Sequence, residues 1–302
     1  MRKREFVTLD VFTTERFAGN PLAVVLDGTG IADAAMQSIA REFNLSETVF
    51  VLPARGSDER AFIRIFTPAR ELPFAGHPTV GTAVALALTD RAGAPGKLDF
   101  VLGEKVGPVP CAITVTGTGS GSATFSLPKL PERVGDLGDR TTLAPVLGLE
   151  PGDIGFGAHA AAIFAAGGPF PLVPVAGRAA VDRVVLSGTK PSGTPANPAS
   201  NQVFVYCAEP VDSAYHYYAR MLAPGFGIAE DPATGLATAC FAGAIMEFQK
   251  PGDGTHRFVI EQGYAMGRPS QIELTLHVER GKLVRATIGG GAVVVTTGTF
   301  MM

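Results

Sequence analysis

Two stretches about half the chain apart follow one pattern: RIFTPARELPFAGHPTVGTA starts at Arg64 and RMLAPGFGIAEDPATGLATA starts at Arg220. Arg64, Phe66 and Pro68 answer Arg220, Leu222 and Pro224, and a glycine then opens an apolar run in each, at Gly76 and at Gly235. The echo continues downstream. Phe100-Val101-Leu102 parallels Phe258-Val259-Ile260, and Gly107-Pro108 parallels Gly267 with Pro269 close behind, all at separations of roughly 156 to 160 positions. A solenoid would need a shorter period and more copies, so two large copies predict two lobes with a ligand cleft between them. A chain of 302 residues suits two domains of about 120 to 150 residues each. The expected division is 1–128 and 129–302, with the last strands, around 285–302, able to pair with the first lobe.

Charged residues make up 18% of the chain and the formal net charge is -3, which provides no field to gather nucleic acid or an anionic membrane surface. The basic start Met1-Arg2-Lys3-Arg4 is followed by strand-like alternation from Glu5 to Phe12 and not by the apolar core of a signal peptide. No apolar run is long enough to span a bilayer. A cytoplasmic protein is expected. Cys111, Cys207 and Cys240 are odd in number and far apart, and the five histidines show no metal-ligand spacing. Neither a disulfide framework nor a protein-held metal is expected.

Strands are predicted at Glu5 to Phe12, Leu22 to Leu26, Thr48 to Leu52 and Ala61 to Phe66, with a one-faced helix from Asp33 to Phe43. Pro78 to Thr89 and Ala237 to Phe248 are apolar nearly all round, which places both helices inside the structure. The fold class that follows is α+β, with a curved, mostly antiparallel sheet or barrel wrapped around one central helix in each lobe. Further strands are predicted at Leu98 to Leu102, Cys111 to Val115 and Ala123 to Leu127, then a crossing linker from Pro128 to Gly138. The run Gly117 to Ser122 lacks the lysine and the helix of a phosphate loop and reads as a hairpin turn. Ser187 to Asn201 reads as a long loop, and Lys282 to Phe300 as two strand-like runs around Gly289-Gly290-Gly291.

The openings of the two central helices are the first candidate site. Their leading amides lack intrahelical partners and the peptide dipoles add about half a positive charge, so each can receive an anion. Gly76 and Gly235 would let a ligand approach the backbone, so a small carboxylate substrate could be gripped without an arginine. His77, in the first turn of the first helix, should stay neutral at the positive helix end and serve as a hydrogen-bond partner or proton relay. Asp231, just ahead of the second opening, can cap that helix or meet substrate, and Glu230 beside it is equally acidic. Glu47, in LSETVFVLP, is either a base strengthened by apolar surroundings or an exposed strand end.

The segments TLDVFTTERFAGNPLAVV, AREFNLSETVFV, RIFTPARELPFAGHPTVGTA, APGFGIAEDPATG and QGYAMGRPS, with the glycine-rich end, together resemble the PhzF-like family of phenazine-biosynthesis isomerases. That family is similar in architecture to diaminopimelate epimerase. The resemblance covers almost the whole chain and implies two similar lobes, each a barrel-like sheet around a central helix. It implies a cofactor-independent isomerase of the trans-2,3-dihydro-3-hydroxyanthranilate type, with Glu47 as general acid/base and His77 and Asp231 assisting. Asn20 falls at a substrate-proximal position, and Gly76, Thr234, Gly235 and Leu236 at substrate-binding ones. The resemblance implies neither cofactor nor metal, and is compatible with a homodimer. Two departures bear on chemistry. Where the epimerase relatives carry a thiol at each central-helix opening, this chain has Ala75 and Thr234, so a two-thiol racemisation is ruled out. The residue after EDPATG, usually serine, is Leu236. Its loss removes a hydrogen bond worth about 0.5–1.5 kcal/mol and points to a different natural substrate. A binding protein that has lost turnover, and a lyase or epimerase using one carboxylate, are the rival readings.

Overall fold

The structure is a computed structural model and describes residues 2–186, 199 and 201–302. The loop expected over Ser187 to Asn201 lies almost wholly outside the described residues. Two compact units are formed, Met1–Pro128 with Ile288–Met302, and Lys129–Thr287. The first 128 residues supply β1 (Lys3–Val11), β2 (Asn20–Val25), α1 (Asp33–Phe43), β3 (Glu47–Leu52), β4 (Glu59–Phe66), β5 (Glu71–Leu72), α2 (Gly76–Asp90), β6 (Gly96–Glu104), β7 (Gly107–Gly117) and β8 (Ser120–Ser126). Then follow β9 (Glu132–Asp136), α3 (Arg140–Leu147), β10 (Ala162–Ala165), β11 (Pro169–Pro174), α4 (Arg178–Arg183), β12 (Val203–Cys207), β13 (Tyr217–Ala223), β14 (Ile228–Asp231), α5 (Gly235–Phe248), β15 (Gly254–Gln262), β16 (Ser270–Glu279) and β17 (Lys282–Met301).

In the first unit the strands close on themselves. β1 pairs antiparallel with β2, β2 runs parallel to β3, β3 is antiparallel to β4, and β4 is parallel to β6. The ladder continues through β7 and β8 to β17, whose far end returns to β1. These eight strands form a barrel with no free edge. Inside it runs α2, packed against β1, β2, β3, β6, β7 and β8. Every residue from Gly76 to Leu88 is buried, as an apolar helix without a polar face requires. By contrast α1 buries only one stripe, Met36 and Ala40, on Val25, Phe50 and Phe66, and ends where Asn44 turns left-handed and its amide bonds the Ala40 carbonyl.

The second unit repeats the first strand by strand. β10 to β11 is antiparallel, β11 to β12 parallel, β12 to β13 antiparallel, β13 to β15 parallel and β15 to β16 antiparallel. A short strand precedes the buried helix in each unit, β5 on β4 and β14 on β13. α5 packs on β9, β10, β11 and β16 and is buried from Ala237 to Ile245. Period-two burial along β16 places Ile272, Leu274, Leu276 and Val278 on the inner face.

Two expectations need correction. Residues 128–138 do not form a plain linker, because Glu132–Asp136 is β9, paired antiparallel with β10. Its side chains are almost all exposed, so no apolar alternation marks it and only the backbone ladder makes it a strand. The end of the chain is one continuous strand, not two runs. Its glycines sit where another backbone comes close: a Cβ on Gly289 would stand 2.6 Å from the Ala123 carbonyl oxygen, and one on Gly291 2.6 Å from that of Thr13. Gly117 to Ser122 is the turn of the β7–β8 hairpin, as expected. Among the described residues no helix is long and apolar enough to cross a membrane.

Because the β17–β8 contact closes the barrel on backbone atoms, Gly289→Val should destabilise the protein by about 1–3 kcal/mol. Gly152→Ala, where nothing lies within 4 Å of the added carbon, should leave stability within about 0.5 kcal/mol. Urea midpoints for the two variants check this; equal midpoints would mean that β17 is not held so tightly.

Candidate functional site

In the first unit the opening of α2 brings Glu47 and His77 together. β3 starts at Glu47, in parallel register with Leu22 of β2, and α2 places His77 in its first turn. His77 Nε2 lies 3.2 Å from Glu47 Oε2, with the two side chains 5% and 16% exposed. Glu47 is therefore not an exposed strand end. Burial pushes the imidazole down to about 3, against the opposing pull of a hydrogen bond to the Pro21 carbonyl. The ring is neutral, as expected from sequence, but desolvation and not the helix dipole is the main cause. The contact with Glu47 is accordingly not an ion pair.

The tautomer follows from the partners. Nε2 makes no hydrogen bond among the described residues, so Nδ1 carries the proton donated to Pro21. Nε2 is then the unprotonated nitrogen, 3.2 Å from Glu47 Oε2. Asn20, fully buried, opens β2 opposite Val11. It is delivered by the turn at Gly19, which has φ +63° and whose added Cβ would collide with the Val11 carbonyl. The buried Asp10 carboxylate braces this turn by accepting from the Phe17 amide at 2.6 Å.

In the second unit, β14 ends at Asp231 and α5 begins four residues later. Asp231 Oδ2 accepts from the Thr234 hydroxyl at 2.5 Å. Gln262, at the end of β15 and fully buried, donates to the Asp231 carbonyl at 2.7 Å and to Thr234 Oγ1 at 3.0 Å, and accepts from the Thr234 amide at 3.2 Å. Of the two neighbouring acids, Glu230 is held by Arg220 through two bonds of 3.0 and 2.8 Å. Glu230 is committed to structure. Leu236, half-buried in the first turn of α5, has Cδ2 3.7 Å from where a Cβ on Gly168 would stand.

Neither central helix has a side-chain cap. Ala75, the N-cap of α2, has no side chain that could serve, and the Thr234 hydroxyl at α5 is turned to Asp231. The leading amides of both helices thus keep the donor character that suits an anion. Cys111 and Cys240 are each pushed up to about 12 and Cys207 to about 11, in each case mainly by burial. No thiolate is at hand for the two-thiol chemistry, in keeping with Ala75 and Thr234. Among the described residues no three His, Cys, Asp or Glu side chains gather as a metal site.

Several working side chains escaped the sequence reading. Arg64 clamps Glu71 at 2.7 and 2.8 Å just ahead of α2, as Arg220 clamps Glu230 ahead of α5. Both arginines stand in the repeat, and an acidic partner follows, 7 residues after Arg64 and 10 after Arg220; an arginine with a following acid in each copy was the available signal. Glu104 and Gln262, the last residues of β6 and β15, gave none beyond their strand ends.

A profile of phenazine biosynthesis-like proteins, PhzC-PhzF, matches residues 9–298. This chain belongs to that family. An uncharacterised isomerase of Mesorhizobium japonicum is 50% identical over 301 residues, covering 99% of both chains. The trans-2,3-dihydro-3-hydroxyanthranilate isomerase of Pseudomonas fluorescens is 32% identical, over 98% of this chain and 99% of its own. The crystal structure of a Bacillus anthracis PhzF-family phenazine biosynthesis protein superposes with a TM-score of 0.84 at 27% identity, covering 100% of both. The fold is the α+β, diaminopimelate epimerase-like one, and the protein is an isomerase of the PhzF type.

His77 binds a proton near pH 6.5 when unfolded and only near 3 when folded, so the unfolded state takes up more protons between those values. Stability is full above about 6.5 and falls on acidification, by about 2 kcal/mol at pH 5 from this one group. His77→Gln should therefore lose less stability than the parent between pH 7 and pH 5, in urea titrations at each pH. A parent imidazole that protonates near pH 6 by NMR would contradict the assignment.

Proposed function

We propose that this isomerase moves a proton from one carbon to another on a small cyclic or unsaturated carboxylate, in the manner of trans-2,3-dihydro-3-hydroxyanthranilate isomerase, with Glu47 carrying it. The observation that supports this best is the largely buried Glu47 carboxyl 3.2 Å from a neutral imidazole. Glu47 as carboxylate takes the proton, and the C–H electron pair enters the substrate's conjugated system. His77 Nε2 then accepts a hydrogen bond from the newly formed acid and holds it in place. Glu47 returns the proton to a second carbon of the same molecule, so substrate and product have the same composition. No cofactor enters the balance.

In this reading Asn20 and the Gly76 amide of the first unit, and Thr234, the Gly235 amide and Leu236 of the second, are substrate-binding residues. Asp231 assists in binding and proton handling, with its carboxylate oriented by Thr234 and its backbone by Gln262. Cytoplasmic location and a homodimer belong to the same proposal. Leu236 favours a second reading, an isomerase that binds this class of carboxylate but turns over a different natural substrate.

Incubation with candidate metabolites in D2O separates the two readings. The parent should place deuterium on carbon, and Glu47→Gln should keep ligand affinity while the rate falls by at least ~100-fold, as expected for loss of a general acid/base. Binding without exchange in the parent would support the second reading, and full activity in Glu47→Gln would remove the residue from the mechanism. Leu236→Ser should raise kcat/KM for trans-2,3-dihydro-3-hydroxyanthranilate by roughly 2- to 10-fold, the equivalent of one restored hydrogen bond. An unchanged value would mean that substrate does not reach this position.

A further inference from the structure

Glu104 is a buried carboxyl outside the chemistry above. It ends β6, is 4% exposed, and touches the first turn of α2 through Thr79, whose Oγ1 lies 2.7 Å from Glu104 Oε1. The same Oγ1 lies 2.8 Å from the Ala75 carbonyl oxygen. Thr79 has one hydroxyl proton, and a carbonyl can only accept. If that proton goes to Ala75, the short contact to Glu104 must be bridged by a proton from Glu104. If Glu104 were ionised, either this pair or the Thr79–Ala75 pair would be two acceptors facing each other below 3 Å.

The surroundings agree. Among the described residues no cation faces Glu104: Lys105 Nζ turns away to Glu71 at 2.6 Å, and His77 on α2 is neutral. On β7 the Cys111 thiol is protonated, and on β4 Glu59, beside Gly103, is held by the Arg55 and Gly56 amides. Glu104 Oε2 has no hydrogen-bond partner among the described residues, a costly arrangement for an ionised carboxylate. Burial also pushes the group up to about 8. Independently, the second unit places Gln262 at the matching strand end, where its neutral amide ties down the opening of α5. Glutamine has the length and the donor–acceptor pattern of a protonated glutamate.

We propose that Glu104 is a neutral carboxylic acid that acts as a positioning residue, its proton setting the chain Glu104 to Thr79 to Ala75 that fixes the first turn of α2 and with it His77 against Glu47. Its protonation state stands apart from the isomerase reading, and its effect on turnover rests on that reading.

Infrared difference spectra between the parent and Glu104→Gln at pH 7 should show the carbonyl stretch of one protonated carboxyl group, lost in the variant. Loss of carboxylate bands alone would overturn the proposal. In exchange assays Glu104→Leu should lower kcat by about 10-fold or more with KM little changed, as misplacement of a reacting group does, whereas Glu104→Gln should stay within about 2-fold of the parent. A Glu104→Gln variant as impaired as Glu104→Leu, or a Glu104→Leu variant as active as the parent, would contradict the positioning role. Should Glu104→Leu not fold, the spectrum and the glutamine variant still decide. A parent that exchanges nothing would sink the isomerase reading and leave the infrared result standing.

Discussion

The burial of an apolar helix inside a closed sheet is the constraint on which the rest of the first unit depends. A helix with no polar face can be stable in water only when covered on all sides, and α2 is covered by six strands of an eight-stranded barrel. Burial fixes the helix axis, and a fixed axis fixes where its first amides point. With Ala75 as N-cap no side-chain cap takes them up. The same desolvation that holds the helix keeps His77 neutral, so packing and site chemistry have one cause. The barrel also places Glu47, because β3 enters parallel to β2 with Glu47 opposite Leu22.

The second unit keeps the scaffold and changes the chemistry. The strand sequence, the short strand before the helix and the bidentate Arg–Glu clamp are all repeated, as Arg64 with Glu71 and Arg220 with Glu230. At the openings the side chains diverge. His77 corresponds to Leu236, Ala75 to Thr234, and Glu104 to Gln262. An acid–imidazole pair occupies one opening, and a tightly hydrogen-bonded turn around the Asp231 carboxylate the other. The three cysteines are buried and protonated, so neither opening has a thiolate base.

The elements legible in the sequence were those whose side chains report their surroundings. α1 shows a three- and four-residue step because one face is wet, and α2 and α5 read as interior because no face is. β9 was invisible: its exposed polar residues are held by backbone pairing alone. The glycines of β17 read as a break because close backbone approach and a turn demand the same residue. At the site, Glu47 and His77 lie in motif-like runs and could be singled out. The choice between Glu230 and Asp231 could not be made, since it depends on where Arg220 reaches. Glu104 and Gln262 act through hydrogen bonds to residues distant in sequence, and no spacing announces them.

The central claim is that Glu47 is the group that touches the reacting carbon. A crystal structure with a tightly bound aromatic analogue of the substrate class, such as 3-hydroxyanthranilate, tests it most directly. The account predicts a ring carbon within about 3.5 Å of a Glu47 carboxyl oxygen, the distance of a near-attack geometry. A bound analogue whose ring carbons all lie beyond reach of Glu47, with another acidic side chain in contact, would contradict it.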